Sequence, residues 1–498
     1  MSHVIGIDGG TESLRAFVFD LAGHPVASCA TPYSTTFPEP GWAEQDPSDW
    51  WAALGASVSG AMAQAGLSAK DVLALCVDTT CCSVVALDVA GKALCPAMIW
   101  MDVRAAVEAD AIAESGDPAL RINSAGAGPV SAEWMLPKAL WLKRNRPDVF
   151  AAAAKVGEYQ DYLNFHLTGV WAASLNNMAV RWHHQPDHGG LPGSLMEAVG
   201  LGDLAGKWPQ RICTPGEVIE GLTDAAARHL GLKSGIPVVQ GGADAFIAMI
   251  GMGVLQAGEM SLITGSSHLQ LGVCDREIHG PGIWGTYSNA VYPGKCIIEG
   301  GQTSTGSVVN WFKRNFAEKI GFDELNKVAQ ALPPGAEGLL VLDHFQGNRT
   351  PYTDPFSRGA ITGLSLKHEP AHIFRAIIEG ICMGTRLIVD NFGEAFQIRR
   401  LVVAGGATNS PLWLRIHADT LGVPLELTEV PDAPALGCAV LAAFGAGEYK
   451  NVEAGIDAMV RVSDTIEPNP ANTAAYDGIF NRYRELYSAM KAVREVSQ

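Results

Sequence analysis

A carboxylate, two glycines and two hydroxyl residues stand close together near the start of the chain, in the stretch VIGIDGGTESLRAFVFD at residues 4–20. Asp8 is followed by the two glycines, Thr11 and Ser13, and apolar runs flank this turn on both sides. Glycine amides and hydroxyl groups can surround phosphates, while a carboxylate can hold a hydrated Mg²⁺ ion. A plain β-hairpin that uses glycine for its positive φ angles explains the same residues equally well.

A similar pattern recurs about half a chain length later. The stretch SLITGSS at residues 261–267 is again an apolar run that ends in glycine and hydroxyl residues, and a second apolar run, LQLGVC, follows at residues 269–274. We interpret the recurrence as an internal duplication, in which two similar lobes each contribute one phosphate-facing hairpin to a cleft. The lobes would be residues 1–253 and 254–498. A chance recurrence of a common Gly-Ser turn is the alternative.

Asp244 is a candidate general base. It lies in GGADA at residues 241–245, directly after the strand-like residues 237–240. In α/β folds ligands bind at the carboxyl ends of strands, where a carboxylate can take a proton from a substrate hydroxyl. An aspartate at this position can also cap the helix that the following apolar residues predict. The residues themselves leave both roles open.

A third glycine-rich turn, AGGATN at residues 404–409, runs from a predicted strand into a predicted helix. Because glycine has no side chain, such a turn allows the flat ring of a ligand to approach the backbone closely. A plain connection between a strand and a helix is the other interpretation.

The elements that must position these turns alternate along the whole chain. Short apolar runs rich in β-branched residues alternate with amphipathic, alanine-rich stretches, which predicts an α/β fold. The predicted strands include residues 4–8, 15–20, 72–79, 83–88, 237–242, 260–265, 269–274, 295–300 and 401–406. The predicted helices include residues 47–65, 135–144, 304–316, 370–392 and 411–421.

The composition argues against several classes of partner. A net charge of −17 disfavours nucleic acid or an anionic membrane surface as a partner. No apolar run is long enough to span a membrane, and the first residues lack the pattern of a signal peptide. The 10 cysteines show no zinc-ligand spacing, so we interpret them as free thiols and expect a cytoplasmic protein. The GxxxxGK[ST] phosphate-binding pattern is absent.

Taken in their order along the chain, these motifs resemble those of the FGGY family of carbohydrate kinases. The hairpin with Asp8, the GGADA stretch, TGSS at residues 264–267, EGGQ at residues 299–302 and AGGATN follow the family's order. The most specific match lies at residues 359–379, where GAITGL is followed after seven residues by HIFRAIIE. The resemblance implies two actin-like (ribonuclease H-like) α/β domains with a cleft between them, and an enzyme that transfers a phosphoryl group from ATP to a sugar.

The resemblance also implies roles for individual residues. Asp8 would hold Mg²⁺, Asp244 would deprotonate the sugar hydroxyl, and ATP would lie across the cleft. The residues implied to surround the nucleotide and its phosphates are Thr11, Ser13, Arg15, Gly265, Ser266, Gly306, Asn310, Gly405, Gly406 and Asn409.

The stretch VDTTCCS at residues 77–83 matches the segment that differs between family members with different sugars. Cys81 and Cys82 stand where ribulokinases carry small residues, and neither the Arg-Glu pair of glycerol kinases nor the Met-His pair of xylulokinases is present. The segments SAEWMLPK at residues 131–138 and GNR at residues 347–349 also look like those of ribulokinases. The resemblance therefore implies a ketopentose kinase that acts on ribulose, with xylulose or another sugar or polyol as the alternative.

Three further residues are expected to contact the sugar. Glu299 would accept hydrogen bonds from hydroxyl groups, Arg181 stands where ribulokinases have a lysine, and Asp102 would line the pocket. Each has a structural alternative, namely a surface carboxylate for Glu299, an ion pair for Arg181 and a helix N-cap for Asp102.

A protein of another class with the same fold is the remaining alternative, either an actin- or chaperone-like ATPase or a sugar-responsive regulator. Asp244 argues against it, because such proteins need no base beside a sugar hydroxyl. The expected partner is a small sugar, and the sequence leaves open whether the protein is a homodimer.

Overall fold

The N-terminal hairpin lies inside a six-stranded sheet. In the computed structural model, which describes residues 2–126 and 128–496, strands His3–Gly9 and Ser13–Asp20 pair antiparallel and place Asp8 opposite Arg15. Every residue of the first strand is buried, as expected for a strand covered on both faces. In spatial order, the strands of the sheet are Val218–Gly221, Pro237–Ala243, Val72–Thr79, His3–Gly9, Ser13–Asp20 and Pro25–Pro32.

The second hairpin, Glu259–Thr264 with His268–Cys274, takes the corresponding place in a seven-stranded sheet. In both sheets the first strand of the hairpin also pairs parallel with a later strand, which is Val72–Thr79 in the first sheet and Arg400–Gly405 in the second. The two sheets therefore repeat one arrangement, as the recurring motif predicts. In spatial order, the strands of the second sheet are Gly285–Ser288, Cys296–Gln302, His268–Cys274, Glu259–Thr264, Arg400–Gly405, Leu425–Thr428 and Val462–Ile466.

Smaller sheets accompany these two, and every predicted strand overlaps an observed one. One small sheet has four strands, and two others are pairs of strands. Their members are Glu44–Gln45, Ala97–Met98, Val84–Leu87 and Lys155–Glu158 in the first, Arg211–Cys213 and Ala172–Ser174 in the second, and Leu340–Leu342 and Ala360–Thr362 in the third.

The predicted helices are all present, with small differences at their ends. The helix predicted from residue 304 begins at Gly306, because the Ser304 hydroxyl donates to the Asp343 carbonyl and the Thr305 N–H donates to the Ser266 carbonyl. In the described residues, no helix combines the length and the apolar character needed to cross a membrane. The α-helices are Pro47–Ala65, Ala106–Glu114, Met135–Asn145, Pro147–Ala152, Tyr159–Thr168, Leu175–Arg181, Gly193–Ala198, Asp224–Leu230, Asp244–Gly251, Gly306–Phe316, Phe322–Gln330, Pro370–Asn391, Pro411–Leu421, Ala433–Gly445, Val452–Met459 and Pro470–Val496.

Two helices from opposite halves of the chain cross at very short range. They are Asp244–Gly251 and Ala433–Gly445. A Cβ atom added at Gly251 would lie 2.0 Å from a carbonyl oxygen of the second helix, and one at Gly437 would lie 2.2 Å from a carbonyl oxygen of the first. The crossing therefore depends on glycine at both positions, because any side chain would push the helices apart.

Helix Ala433–Gly445 also completes the core of the N-terminal lobe. It is apolar and almost entirely buried, and it packs against strands His3–Gly9, Val72–Thr79 and Pro237–Ala243 of the first sheet. Gly6 permits this contact, because a Cβ atom there would lie 2.0 Å from a carbonyl oxygen of the helix. One face of the first sheet is thus covered by residues from the last fifth of the chain.

Candidate active site

A cavity of about 380 Å³ lies between the tips of the two hairpins. Thr11 and Asp244 line it from the first half of the chain, and Thr264 and Gly265 line it from the second. The structure therefore brings the candidate base and both hairpins to one space. Of the three hairpin residues implied to contact phosphates, only Thr11 lines this cavity; Ser13 and Arg15 do not.

A second cavity, of about 410 Å³, adjoins the first, and Thr264 and Gly265 line both. The aromatic side chains of Phe374 and Trp413 also line it, and they provide apolar surface for a flat ring. The second cavity collects most of the residues implied to surround the nucleotide, namely Gly265, Ser266, Gly306, Asn310, Gly406 and Asn409.

The resemblance implies that Gly405 contacts the nucleotide. Gly405 does not line the second cavity, however, and glycine is needed at this position for a different reason. Its φ of 93° is left-handed, and a Cβ atom there would lie 2.0 Å from the Thr264 carbonyl oxygen. Gly306 is similar, since a Cβ atom would lie 2.4 Å from the Gly265 carbonyl oxygen. Both glycines allow neighbouring backbone segments to meet at the wall between the cavities.

Asp244 is the first residue of helix Asp244–Gly251. The N-cap position, which was the structural alternative for Asp244, is occupied by Ala243. The Oδ1 atom of Asp244 accepts the Ala245 N–H at 2.7 Å. Burial, followed by the negative charge of Asp8, raises the pKa of Asp244 to about 7. A carboxyl group with a pKa near neutrality can take up and release a proton under ordinary conditions, as a general base must.

Asp8 and Arg15 bind each other in this structure. Asp8 is almost fully buried, and Arg15 donates to its carboxylate. Arg15 also donates to Asp432 at 2.6 Å, so its guanidinium joins the first hairpin to the residue before helix Ala433–Gly445. The guanidinium that is implied to contact phosphates is therefore bound by two carboxylates in this structure.

The residues around Asp8 fit a magnesium ion, although the described part of the chain contains no cluster of three or more His, Cys, Asp or Glu side chains that could hold a metal. Mg²⁺ keeps several waters and binds through one or two carboxylates plus substrate phosphates, so it needs no such cluster. The neighbouring Asp78 has a buried Oδ1 without a hydrogen-bond partner. Burial, the Cys438 thiol and the charge of Asp8 raise the pKa of Asp78 well above its ordinary value. An ion held by Asp8 and Asp78 would relieve the repulsion between the two carboxylates, although neither residue lines the first or the second cavity.

Arg181 and Glu299 bind each other across the two halves of the chain. The Arg181 guanidinium nitrogens lie 2.8 and 3.0 Å from the two carboxylate oxygens of Glu299, and the Tyr287 hydroxyl donates to the same carboxylate at 2.6 Å. Glu299 is completely buried, so it is not a surface carboxylate. Glu299 does not line the first cavity, and the expectation that it accepts hydrogen bonds from sugar hydroxyls stays a prediction. Arg181 lines the first cavity as one half of an ion pair.

Cys81 and Cys82 line the first cavity, and their sulfur atoms lie 3.7 Å apart. Cys82 has a φ of 64°, which few non-glycine residues adopt, and its N–H donates to the buried Glu158 at 3.0 Å. The buried Lys138 ammonium donates to the carbonyl oxygens of Cys82 and Ile99 at 2.8 and 2.6 Å. Burial lowers the pKa of Lys138 to about 8. The turn that carries the two cysteines is thus held from both sides.

Asp102 neither lines the cavity nor caps a helix. Its carboxylate is completely buried and is bound by the Arg104 guanidinium at 2.6 Å and by the Ala43 N–H at 2.7 Å. The next helix, Ala106–Glu114, begins too far along the chain to be capped by it. Both expectations for Asp102 are therefore wrong, because its charge is used in an internal ion pair.

The side chains that line the first cavity without having been predicted as site residues include Trp100, Glu133, Trp134, Trp284 and Arg349. The indole N–H of Trp100 donates to the Thr11 hydroxyl at 2.9 Å, so it joins the cavity wall to the first hairpin. Glu133 and Trp134 lie in the stretch SAEWMLPK, and Arg349 ends GNR. Both stretches stand out in the sequence, but nothing in it indicates which of their side chains face the cavity.

Comparison with known proteins identifies the family. The family model described as "FGGY family of carbohydrate kinases, N-terminal domain" matches residues 3–251, and its C-terminal counterpart matches residues 260–446. Together the two matches cover most of the chain. The chain therefore belongs to the FGGY family of carbohydrate kinases, and it is a sugar kinase, an enzyme that transfers a phosphoryl group.

The relatives that this chain resembles include both ribulokinases and xylulose kinases. The chain is 30% identical to a ribulokinase from Halalkalibacterium halodurans over 97% of this chain and 94% of the relative. It is 29% identical to a xylulose kinase from Lactococcus lactis over 98% of this chain and 97% of the relative. The crystal structure of a xylulose kinase from Rhodospirillum rubrum matches with a TM-score of 0.88 and 29% identity, and the match covers 99% of both chains.

Proposed function

We propose that this sugar kinase phosphorylates a ketopentose, with ribulose as the first candidate, ATP as the donor and Asp244 as the general base. The observation that carries the proposal is the position of Asp244. It lies in the cavity between the two hairpins, where burial and Asp8 raise its pKa to about 7. It is therefore poised to take a proton near neutral pH.

In the proposed reaction, Asp244 accepts the proton of the sugar hydroxyl as that oxygen attacks the terminal phosphorus. Phosphoryl transfer depends mainly on positioning and on neutralising charge. The hydroxyl groups of Thr11 and Ser267 line the first cavity, and that of Ser266 lies in the second, so they offer donors along the path between the cavities. The absence of a P-loop lysine is no obstacle, because hydroxyl and backbone groups supply the contacts.

The second cavity supports the proposal for ATP. Phe374 and Trp413 offer an apolar surface for the adenine ring, while Gly406 and Asn409 lie at the same wall. A nucleotide held there would direct its phosphates past Gly265, which lines both cavities, toward Asp244.

Asp8 and Asp78 are the residues that we propose for Mg²⁺. Both carboxylates belong to neighbouring strands, where Asp8 is the partner of Asp78 in the parallel pair. A bound magnesium ion would supply positive charge against the phosphates. Release of Asp8 from Arg15 would free the guanidinium for the same phosphates.

Two observations favour ribulose, and one favours xylulose. Cys81 and Cys82 give the cavity the small residues seen in ribulokinases, and the GNR segment supplies Arg349 to the cavity wall. The names of the relatives include both ribulokinase and xylulose kinase. Xylulose is therefore the second candidate, supported by the xylulose kinase structure that matches over the whole chain.

We also propose a lobe boundary between residues 253 and 254 and a cytoplasmic location. The boundary is supported by the gap between the two family matches, which end at residue 251 and resume at residue 260. The location is supported by the 10 cysteines, all of which are free thiols.

The decisive experiment is an ADP-release assay with the purified chain, Mg²⁺ and ATP. The panel contains D-ribulose, L-ribulose, D-xylulose, L-xylulose, glycerol and erythritol. We expect kcat/KM to be highest for one of the ribulose enantiomers. Preference for a xylulose would select the second candidate, and preference for glycerol or erythritol would refute the ketopentose assignment.

A further inference from the structure

Two charged side chains line the first cavity without forming an ion pair among the described residues. Glu133 receives only a long hydrogen bond of 3.4 Å from the Ser131 hydroxyl. Arg349 forms no ion pair with any residue that the structure describes, and its guanidinium carbon lies 4.9 Å from the centre of the Trp284 ring. The other charged groups of the cavity already have roles, because Arg181 is bound by Glu299 and Asp244 is the proposed base.

The two groups come from opposite lobes, and a pair of tryptophans in mutual contact lies beside them. Glu133 precedes helix Met135–Asn145, and Arg349 lies in the connection between strands Leu340–Leu342 and Ala360–Thr362. Trp134 is buried beside Glu133 and packs edge-on against Trp284, with ring centres 5.8 Å apart. Since Arg349 lies over the same Trp284 ring, the aromatic contact brings the segments that carry both charged groups to one wall of the cavity.

We propose that Glu133 and Arg349 help to select the sugar; this inference rests on the proposed ketopentose kinase function. A carboxylate is an acceptor with two oxygens and suits a pair of adjacent hydroxyl groups. A guanidinium is a planar fork of donors and suits a carbonyl oxygen together with a neighbouring hydroxyl. The indole rings of Trp100, Trp134 and Trp284 supply apolar surface for the C–H groups between them.

This combination favours a neutral, open-chain ketose over a sugar acid. The carbonyl group of a ketose gives Arg349 an acceptor that a polyol lacks. A sugar acid would also offer Arg349 a carboxylate, but it would bring a further negative charge beside Asp8, Glu133 and Asp244. Mutual repulsion among carboxylates in a partly buried space disfavours that arrangement.

The test is steady-state kinetics of the full chain with the ketopentose that the wild type uses best, the matching pentitol and the matching five-carbon aldonate. The variants are Glu133→Gln and Arg349→Met. Because hydrogen bonds to charged groups are stronger than neutral ones, we expect each variant to raise the KM for the ketopentose about tenfold or more. The kcat should change by less than about threefold and the KM for ATP should not change, because neither side chain lines the second cavity. Arg349→Met should also reduce the preference for ketose over pentitol, whereas Glu133→Gln should leave that preference intact.

Matched controls separate recognition from general damage. Arg358→Met removes an arginine from the same connection, and in the described part of the chain its guanidinium donates only to the Pro355 and Ser357 carbonyls. Glu108→Gln removes a glutamate paired with Arg144 outside the cavity. Both controls should keep the wild-type KM. Arg349→Lys keeps the charge but loses the fork, so its KM should fall between those of the wild type and Arg349→Met. Thermal melting confirms that each variant is folded.

The outcomes distinguish this inference from the proposed function. If the wild type phosphorylates a ketopentose but folded Glu133→Gln and Arg349→Met keep its KM, the inference fails and the proposed function stands. If the wild type phosphorylates no ketopentose, both fail. If the aldonate is the better substrate and Arg349→Met abolishes its use, the guanidinium recognises a carboxylate and the assignment to a neutral ketose is overturned.

Discussion

At the scale of single residues, the site works by holding charges in unfavourable surroundings. Asp244 is buried near Asp8, so its ionised form is costly and its pKa rises from an ordinary 3.8 to about 7. Asp8, by contrast, forms an ion pair with Arg15. The Asp244 carboxyl is thereby kept ready to exchange a proton near neutral pH.

The pKa of Asp244 predicts the pH dependence of the reaction. A general base works only when deprotonated, so kcat/KM should fall below about pH 7 and level off above it. Asp244→Ala should reduce kcat by about a thousandfold or more while ATP still binds, because the second cavity is unaffected. Rate measurements from pH 5 to pH 9 and a nucleotide-binding titration check both points. Substantial turnover by the variant would remove the base assignment.

The same raised pKa predicts that Asp244 destabilises the folded protein at alkaline pH. Because the carboxyl ionises more easily in the unfolded chain, its contribution to stability falls as the pH rises from about 4 to about 7. The uncharged Asp244→Asn should therefore be more stable than the wild type at pH 8, by about 1–3 kcal/mol, and gain less at pH 5. Urea unfolding at the two pH values measures the difference. An equal gain at both would show that ionisation is not the cause.

At the scale of elements, the position of Asp244 depends on where its helix crosses another. Helix Asp244–Gly251 is pressed against helix Ala433–Gly445 at glycines, so the separation of the two backbones is set by the absence of side chains. Any change at the crossing moves the helix whose first residue is the proposed base.

Gly437→Ala tests this dependence. The added methyl group would lie 2.2 Å from a carbonyl oxygen, so we expect a loss of about 1–3 kcal/mol of unfolding free energy together with a lower kcat. The control is Gly478→Ala in helix Pro470–Val496, where nothing lies within 4 Å of the added atom. There alanine should stabilise the helix by up to about 1 kcal/mol and leave kcat unchanged. Urea unfolding and initial rates provide both readouts.

The sequence predicted elements well where one local pattern determines them. Helices Pro47–Ala65 and Pro411–Leu421 begin with a proline and end before a glycine, and both have the predicted ends. The recurring motif likewise predicted two hairpins, and both are present, each in a sheet where its first strand also pairs parallel with a later strand. By contrast, two-residue strands such as Glu44–Gln45 carry no periodic signal, because their pairing is decided by distant partners.

The candidate site could likewise be predicted only where its residues form a local pattern. The glycine and hydroxyl residues of the turns could be proposed as site residues because their chemistry is local. The partner of Glu299 was not found, because the ion pair joins residues 118 positions apart and the sequence offers many other arginines. Glu133 and Arg349 were missed for a related reason, since only the packing of Trp134 on Trp284 shows which side chains face the cavity.

At the scale of the whole molecule, the ion pair between Arg181 and Glu299 ties the two lobes together beside the first cavity. Both side chains are largely shielded from water, so the cost of removing one partner exceeds the worth of an exposed pair. The pair is therefore a structural link between the two lobes.

Arg181→Met leaves Glu299 as an unpaired buried carboxylate. We expect it to lower the unfolding free energy by about 3–5 kcal/mol, and we expect Arg181→Met with Glu299→Leu to recover much of that loss. As a control, Lys143→Met breaks the more exposed pair with Asp203 and should cost less than about 1 kcal/mol. Urea midpoints for the single and double variants give the coupling energy. A coupling near zero would show that the pair does not link the lobes.

Helix Ala433–Gly445 also has a consequence for the order in which the protein becomes stable during synthesis. The ribosome releases the six strands of the first sheet long before this helix, yet the helix covers one of that sheet's faces. Until the last fifth of the chain emerges, the nascent first lobe carries an uncovered apolar surface. A truncated chain that ends before residue 433 would never acquire this cover. We therefore expect such a chain to aggregate and to be degraded rather than to persist as a folded first lobe.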